Sequence, residues 1–145
     1  MVECEQSAGG QNQMETKQTQ QIIAEMNAAL RDEFSSAIAS SGWHLLKQTD
    51  TVEPKQYARL IVLGVAFWSR PDLQALQMLG QKLGQESVTV FVFNIDMFGY
   101  SEGIKAFLPD AAMPNKTPVI AEYLDGVLIR FVEGNSAFKW IKASL

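Results

Sequence analysis

Cysteine and histidine are almost absent from this chain of 145 residues, which contains one of each. Cys4 lies in a polar N-terminal stretch, and His44 lies in a short apolar one. A single cysteine forms no intramolecular disulfide, and this pair supplies too few ligands for a structural zinc site. The residue spacing of an EF-hand calcium loop is missing as well. We therefore expect no metal site and no cofactor.

An excess of positive charge is also missing, because 12 Lys and Arg stand against 16 Asp and Glu, giving a net charge of −4. Nucleic acids and anionic membrane surfaces both attract basic proteins, so we expect neither as a partner. The longest apolar run, residues 60–68, is far shorter than the ~20 residues of a spanning helix. The N-terminus lacks the basic start and apolar region of a secretory signal, so we expect a cytoplasmic protein.

The first forty residues divide into a polar stretch and an amphipathic one. Residues 1–15 are rich in Gln, Gly and Glu, and we interpret them as a disordered tail before a single domain at 16–145. Steps of three and four then separate the apolar residues Ile22, Met26, Leu30, Phe34 and Ile38. This pattern predicts a helix over 16–40, whose apolar stripe covers either its own sheet or a partner.

Strand and helix patterns alternate along the rest of the chain. Apolar runs predict strands at 43–48, 59–68, 87–96, 118–124 and 127–133, and helices are predicted at 71–84, 102–108 and 135–145. A turn or short helix is expected near residue 56, after Pro54, and Asp125-Gly126 is typical of a hairpin turn. This order predicts the α/β class, with a mixed sheet flanked by helices.

Four short motifs resemble landmarks of the thioredoxin family. The sequence WSRPD at 68–72 follows a strand and opens a helix, where the family carries WCGPC. FNID at 93–96 resembles the end of the next strand, and Thr117-Pro118 resembles the family's cis-proline. Asp125-Gly126 and Gly134 follow that proline at the family's spacing. The resemblance covers roughly residues 43–145 and implies a thioredoxin-like fold, to which the helix 16–40 is an addition.

The corner motif contains no sulfur. Thiol–disulfide exchange needs a thiolate and a second sulfur, whereas Ser69 and Asp72 occupy those two positions. A second alignment takes Phe67-Trp68 as an earlier FW pair of the family and shortens the loop, but it also lacks cysteine. The preceding strand contains no acid that could move protons. The resemblance therefore implies a redox-inactive member, and Asp72 is interpreted as a first-turn acid that favours the helix dipole by ~0.3–1 kcal/mol.

Other catalytic classes have little support in the sequence. A serine hydrolase would need a base beside Ser69, and the only histidine, His44, lies on a different predicted strand. Cys4 lies between two glutamates in the polar tail, and we interpret it as an inert surface thiol. The glycine-rich phosphate loops of nucleotide-binding proteins are absent. We therefore expect no catalytic residue.

Two functions remain open. The first is a protein-binding module, such as an assembly chaperone or adaptor, with a peptide groove at the corner and the Thr-Pro loop. The resemblance implies that seven residues form this groove: Trp68, Ser69, Arg70, Pro71, Thr117, Pro118 and Gly134. Trp68 is either an anchor for the guest or a packing residue. The alternative is an oxidoreductase or transferase linked to glutathione or another thiol, working through an atypical site.

Overall fold

In the computed structural model, which describes residues 2–47, 50–98 and 116–143, five strands form one mixed sheet. They are β1 (His44–Leu45), β2 (Arg59–Val65), β3 (Thr89–Asn94), β4 (Val119–Leu124) and β5 (Val127–Glu133). The sheet order is β1-β3-β2-β4-β5. The first three strands run parallel, and β4 and β5 are antiparallel to their neighbours. The predicted mixed sheet flanked by helices, with an added N-terminal helix, is confirmed.

The helices are α1 (Val2–Ser40), α2 (Arg70–Leu83), α3 (Ile95–Phe98) and α4 (Asn135–Lys142), and a 3-10 turn spans Pro54–Gln56. Three predicted strands end earlier than the apolar pattern suggests, and the first of them, predicted at 43–48, ends at Leu45. The strand predicted to reach residue 68 ends at Val65, and the one predicted to reach 96 ends at Asn94. The next two residues belong to α3, where the Asn94 side chain accepts the Asp96 N–H at 3.2 Å. The helix predicted at 102–108 lies outside the described residues.

Helix α1 begins at Val2, ahead of its predicted start at Thr16, so the backbone of 2–15 is helical. The Gln and Glu residues of this segment are good helix formers and it contains no proline, although Gly9 and Gly10 are unfavourable within a helix. Among the helices of the described segments, none is both long and apolar enough to cross a membrane.

Two apolar layers cover the two faces of the sheet. Alternate residues of β2 point to opposite faces, so that Ile61 and Leu63 join one layer while Leu60 and Val62 join the other. Helices α1, α2 and α4 bury their apolar stripes on the first face. On the second face, Leu46 and other residues of the β1–β2 connection contribute to the layer.

The added helix α1 lies alongside α2, and the two run in the same direction. Phe34 stacks on Phe67, just ahead of α2, with ring centroids 4.7 Å apart and planes 7° apart. Near the far end of α2, Gly80 lies close to Ser41, which follows α1. Residues of α1 upstream of Leu30 therefore extend beyond the end of the sheet where α2 begins. The apolar residues Ile22, Ile23 and Met26 on this extension are exposed, so only the second half of the predicted stripe covers the protein's own core.

Candidate functional site

The corner between β2 and α2 is shaped by local hydrogen bonds. After β2 ends, the Ser69 N–H donates to the Ala66 carbonyl at 3.0 Å. Ser69 is the N-cap of α2, and its hydroxyl accepts the Asp72 N–H at 3.4 Å. Serine is a preferred N-cap, and Pro71 suits the first turn because no helical acceptor faces its nitrogen. WSRPD therefore forms a strand-to-helix corner without any sulfur.

Asp72 is the buried ionisable group of this corner. Its side chain is only 2% exposed, and its Oδ2 accepts the Ala66 N–H at 2.9 Å. It also forms a side-chain hydrogen bond with Thr117. Burial raises the pKa of the Asp72 carboxyl, although the hydrogen bonds from Ala66, Thr117 and Ser69 pull that pKa back down. The interpretation of Asp72 as a simple dipole-favoured acid is thus incomplete, because desolvation is the largest influence on its charge.

The Thr-Pro loop is held against the corner from two sides. The Thr117–Pro118 peptide is cis, as the resemblance implies. Asp72 bonds the Thr117 side chain from α2, and the Gly134 N–H donates to the Pro118 carbonyl at 2.9 Å. Gly134 has a positive φ of 59°, and a Cβ there would lie 3.0 Å from the Lys116 side chain. A larger residue at 134 would therefore disturb the loop.

Phe67 and Trp68 have opposite environments. Phe67 is buried against Phe34, whereas Trp68 is 63% exposed. The next exposed side chain, Arg70, forms an ion pair with Glu33 of α1 at 3.1 Å. The added helix therefore borders the corner, and Trp68 faces solvent rather than the core.

The structure brings the predicted site residues together to different degrees. Ser69 and Thr117 meet through Asp72, and Pro118 and Gly134 are hydrogen-bonded to each other. Pro118 and Gly134 are both buried, so they support the loop from the protein interior and do not form its exposed surface. Sequence reasoning missed the burial of Asp72, although its place in the pentapeptide, where the family has its second cysteine, was a signal. It also missed Glu33, which no motif indicates.

The histidine considered as a base for Ser69 lies away from the corner. His44 lies on β1, at the edge of the sheet, with its ring 5.3 Å from that of Phe91. Within residues 16–47, 50–96 and 116–143, no group of three His, Cys, Asp or Glu side chains is arranged to hold a metal ion. The corner carries an exposed indole, an exposed guanidinium and a half-buried serine hydroxyl beside the Thr-Pro loop.

Solved structures of thioredoxin-fold proteins are similar to this chain. One comes from work on the "thiol resolving mechanism in yeast mitochondrial 1-Cys peroxiredoxin via glutathione/thioredoxin systems". It is 19% identical, with a TM-score of 0.51, and the match covers 70% of this chain and 92% of that one. A mutant thioredoxin from Halobacterium salinarum is 12% identical, with a TM-score of 0.45 and coverage of 70% and 88%. ERdj5 is 16% identical, with a TM-score of 0.40 and coverage of 72% and 14%.

At such low identity the likeness to the yeast structure shows the fold alone. The chain has a thioredoxin-like fold, and the expected fold is confirmed. No family model matches the chain, and no curated protein matches its sequence.

Proposed function

We propose that the corner binds a protein or peptide partner, and that this chain is a redox-inactive thioredoxin-like module such as an assembly chaperone or adaptor. The observation that carries the proposal is Trp68, which is 63% exposed at the end of the sheet where α2 begins. Exposing an indole to water is unfavourable, and tryptophan and arginine are frequent anchors at interfaces. Trp68 and Arg70 provide both residue types within one turn.

The guest binds across the corner in extended form. Trp68, Ser69, Arg70 and Pro71 form one side of this groove, and Thr117 forms the other. Thr117 lies just before β4, and this position supports the proposal that its main chain pairs with a guest strand while the side chains of the corner select the sequence. The hydrogen bonds that hold Thr117 and Pro118 keep the loop in place before binding, which lowers the entropic cost of association.

The ion pair between Arg70 and Glu33 lies at the edge of the groove, where Arg70 can exchange Glu33 for another acidic partner. Both side chains are largely solvated, with 61% and 49% of their side-chain surface exposed. Exposed pairs of this kind contribute only about 0–1 kcal/mol, so the guanidinium exchanges Glu33 for an acidic group of the guest at little cost. We therefore expect guests to carry an acidic residue next to an apolar one.

Site-specific photo-crosslinking tests this proposal. A photoreactive phenylalanine analogue replaces Trp68 in one variant and Val127 in a matched control. The two side chains are equally exposed, at 63%, but Val127 lies in the hairpin at the opposite end of β4. In native cell extract, we expect a discrete protein adduct from position 68 and none from position 127. Equal labelling from both positions, or none from 68, contradicts the proposal.

The thiol-linked alternative is tested by reduction of insulin disulfides, followed as turbidity. We expect no turnover above the uncatalysed rate, because Ser69 and Asp72 cannot take part in disulfide exchange. Turnover that disappears in Cys4→Ser would establish an enzyme that uses its single thiol. The crosslinking experiment bears on the same question. If the adduct formed at position 68 persists after treatment with reductant and thiol alkylation, the covalent bond between the two proteins is not a mixed disulfide.

A further inference from the structure

A cavity of about 660 Å³ opens at the end of the sheet away from the corner, between the carboxyl ends of α1 and α2. This volume falls in the usual range of small-ligand sites. Six of the residues around it carry its polar and aromatic character: Ser40, Ser41, Trp43, Gln77, Gln81 and Glu86. Leu76 and Leu83 contribute apolar wall. The cavity is thus separate from the groove proposed above.

Two helix ends give this cavity a negative potential. Because α1 and α2 run in the same direction, their carboxyl ends meet at the cavity, and each end carries roughly −0.5 of an elementary charge. The last turn of α1 contains no basic residue. In the last turn of α2, Lys82 places its Nζ 4.8 Å from the Trp140 ring and does not line the cavity. Around this cavity, the described lining includes no Lys or Arg.

Glu86 and Trp43 add two features that favour a cation. Glu86 Oε2 pairs with Arg59 Nη1 at 2.7 Å, so Glu86 offers the cavity further hydrogen-bond acceptors rather than an unbalanced negative charge. Trp43 presents an indole, the aromatic side chain that attracts cations most strongly. Beside Trp43, the floor of the cavity is formed at Gly80, which has no side chain. A Cβ on Gly80 would lie 3.6 Å from Ser41 Oγ and 3.9 Å from the Trp43 ring.

We propose that this cavity binds an organic cation: an alkylammonium or guanidinium head on a short aliphatic stem. The head lies among the two helix ends, Glu86 and the Trp43 ring, and the stem lies against the apolar wall of Leu76 and Leu83. An inorganic cation would make no use of the apolar wall that Leu76 and Leu83 provide. The same chemistry is carried by free polyamines and by Lys or Arg side chains of a partner protein.

The test is a titration of the ¹⁵N-labelled protein followed by NMR. The chain has three tryptophans, so its indole N–H groups give three signals, each assigned by one Trp→Phe variant. The probes are butylammonium and butylguanidinium, with butanol and butyrate as the neutral and anionic controls. We expect saturable shifts of the Trp43 indole signal with the two cations, at dissociation constants on the order of millimolar. The controls are expected to bind at least about tenfold more weakly.

Charge variants at the mouth of the cavity provide the matched comparison. Gln81 is exposed, so Gln81→Lys and Gln81→Glu are both expected to preserve the fold. The tethered ammonium of the first should weaken cation binding several-fold, and the carboxylate of the second should strengthen it. Gly80→Leu should abolish binding by filling the floor, while Gly80→Ala controls for the change in helix propensity.

Spermidine and an acetylated, amidated Gly-Arg-Gly peptide then distinguish the two sources. Tighter binding of spermidine identifies a free polyamine as the ligand, and tighter binding of the peptide identifies a basic side chain. Butanol binding as well as butylammonium would overturn the proposal. So would the absence of a saturable Trp43 shift, or equal cation affinity in both Gln81 variants.

Discussion

At the scale of single residues, Asp72 shows how the corner is held together without sulfur. Its buried carboxylate joins the end of β2, through Ala66, to Thr117 ahead of β4. A carboxylate can do this because it accepts several hydrogen bonds, but burial raises the free energy of its charged form. Asp72 therefore orders the groove at some cost in stability.

This cost predicts a specific pH dependence. Because the pKa of Asp72 is raised on folding, the folded state binds more protons than the unfolded state between the ordinary value, ~3.9, and the folded value. The contribution of Asp72 to the free energy of unfolding should therefore fall as pH rises through that window. Asp72→Asn removes the charge and keeps an acceptor for the Ala66 N–H, so we expect it to be at least as stable as the wild type at pH 7.

Denaturant unfolding of both proteins from pH 4 to pH 8 measures this effect. The difference in stability, wild type minus Asp72→Asn, isolates Asp72 from the other titrating groups. We expect that difference to decrease as pH rises. A difference that increases with pH would mean that the folded state favours the charged carboxylate.

At the scale of elements, the second half of α1 packs on the core, and the first half extends beyond the end of the sheet. Phe34 is fully buried and stacks on Phe67, whereas Met26 is 65% exposed although it lies on the same sequence pattern. Phe34→Ala should lower the free energy of unfolding by ~3–5 kcal/mol, the usual cost of truncating a buried aromatic residue. Met26→Ala should change it by less than ~0.5 kcal/mol. Thermal or urea unfolding compares the two variants, and equal losses would show that α1 packs along its whole stripe.

The elements also show what the sequence predicted and what it left open. The steps of three and four in α1, the apolar run of β2 and Asp125-Gly126 each indicate local structure, and the structure follows them. The apolar spacing of α1 continues through Met26 and Ile22. Spacing alone does not tell which part of the helix packs on the sheet and which part extends past its end. The apolar run of β2 likewise continues through Phe67, although the strand ends at Val65 to form the corner.

The candidate site was predicted in part for the same reason. WSRPD and Thr117-Pro118 are local patterns, so their place at a corner and in a loop was readable from the sequence. The bond between Asp72 and Thr117 joins residues far apart in the chain, and a single sequence contains no record of such contacts. Glu33 reaches Arg70 only because α1 runs beside α2.

At the scale of the whole molecule, a charge network ties the strands together at the end opposite the corner. Glu122 of β4 is buried and accepts hydrogen bonds from Arg59 of β2 at 2.9 Å and Arg130 of β5 at 3.1 Å. Arg59 also binds Glu86, and Arg130 lies 4.7 Å from the Trp140 ring of α4. The network therefore links three strands to a helix.

Removing the central acid should destabilise the whole sheet. Breaking a buried ion pair costs ~3–5 kcal/mol, but both arginines are partly solvated, so we expect Glu122→Gln to cost about 1–3 kcal/mol. Glu86→Gln removes an acid that is about half exposed and should cost under ~1 kcal/mol. Urea unfolding measures both variants, and an equal effect would show that the burial of Glu122 is energetically unimportant.

The whole molecule thus combines a thioredoxin-like sheet, an added helix beside its corner and a corner without sulfur. Peptides selected by display on the immobilised protein, and then titrated into ¹⁵N-labelled Cys4→Ser protein under reducing conditions, test this account most directly. We predict saturable binding with amide shifts centred on Trp68, Ser69, Arg70 and Thr117, and its loss in Trp68→Ala. Binding that needs Cys4, or shifts centred on the hairpin at Val127, would contradict it.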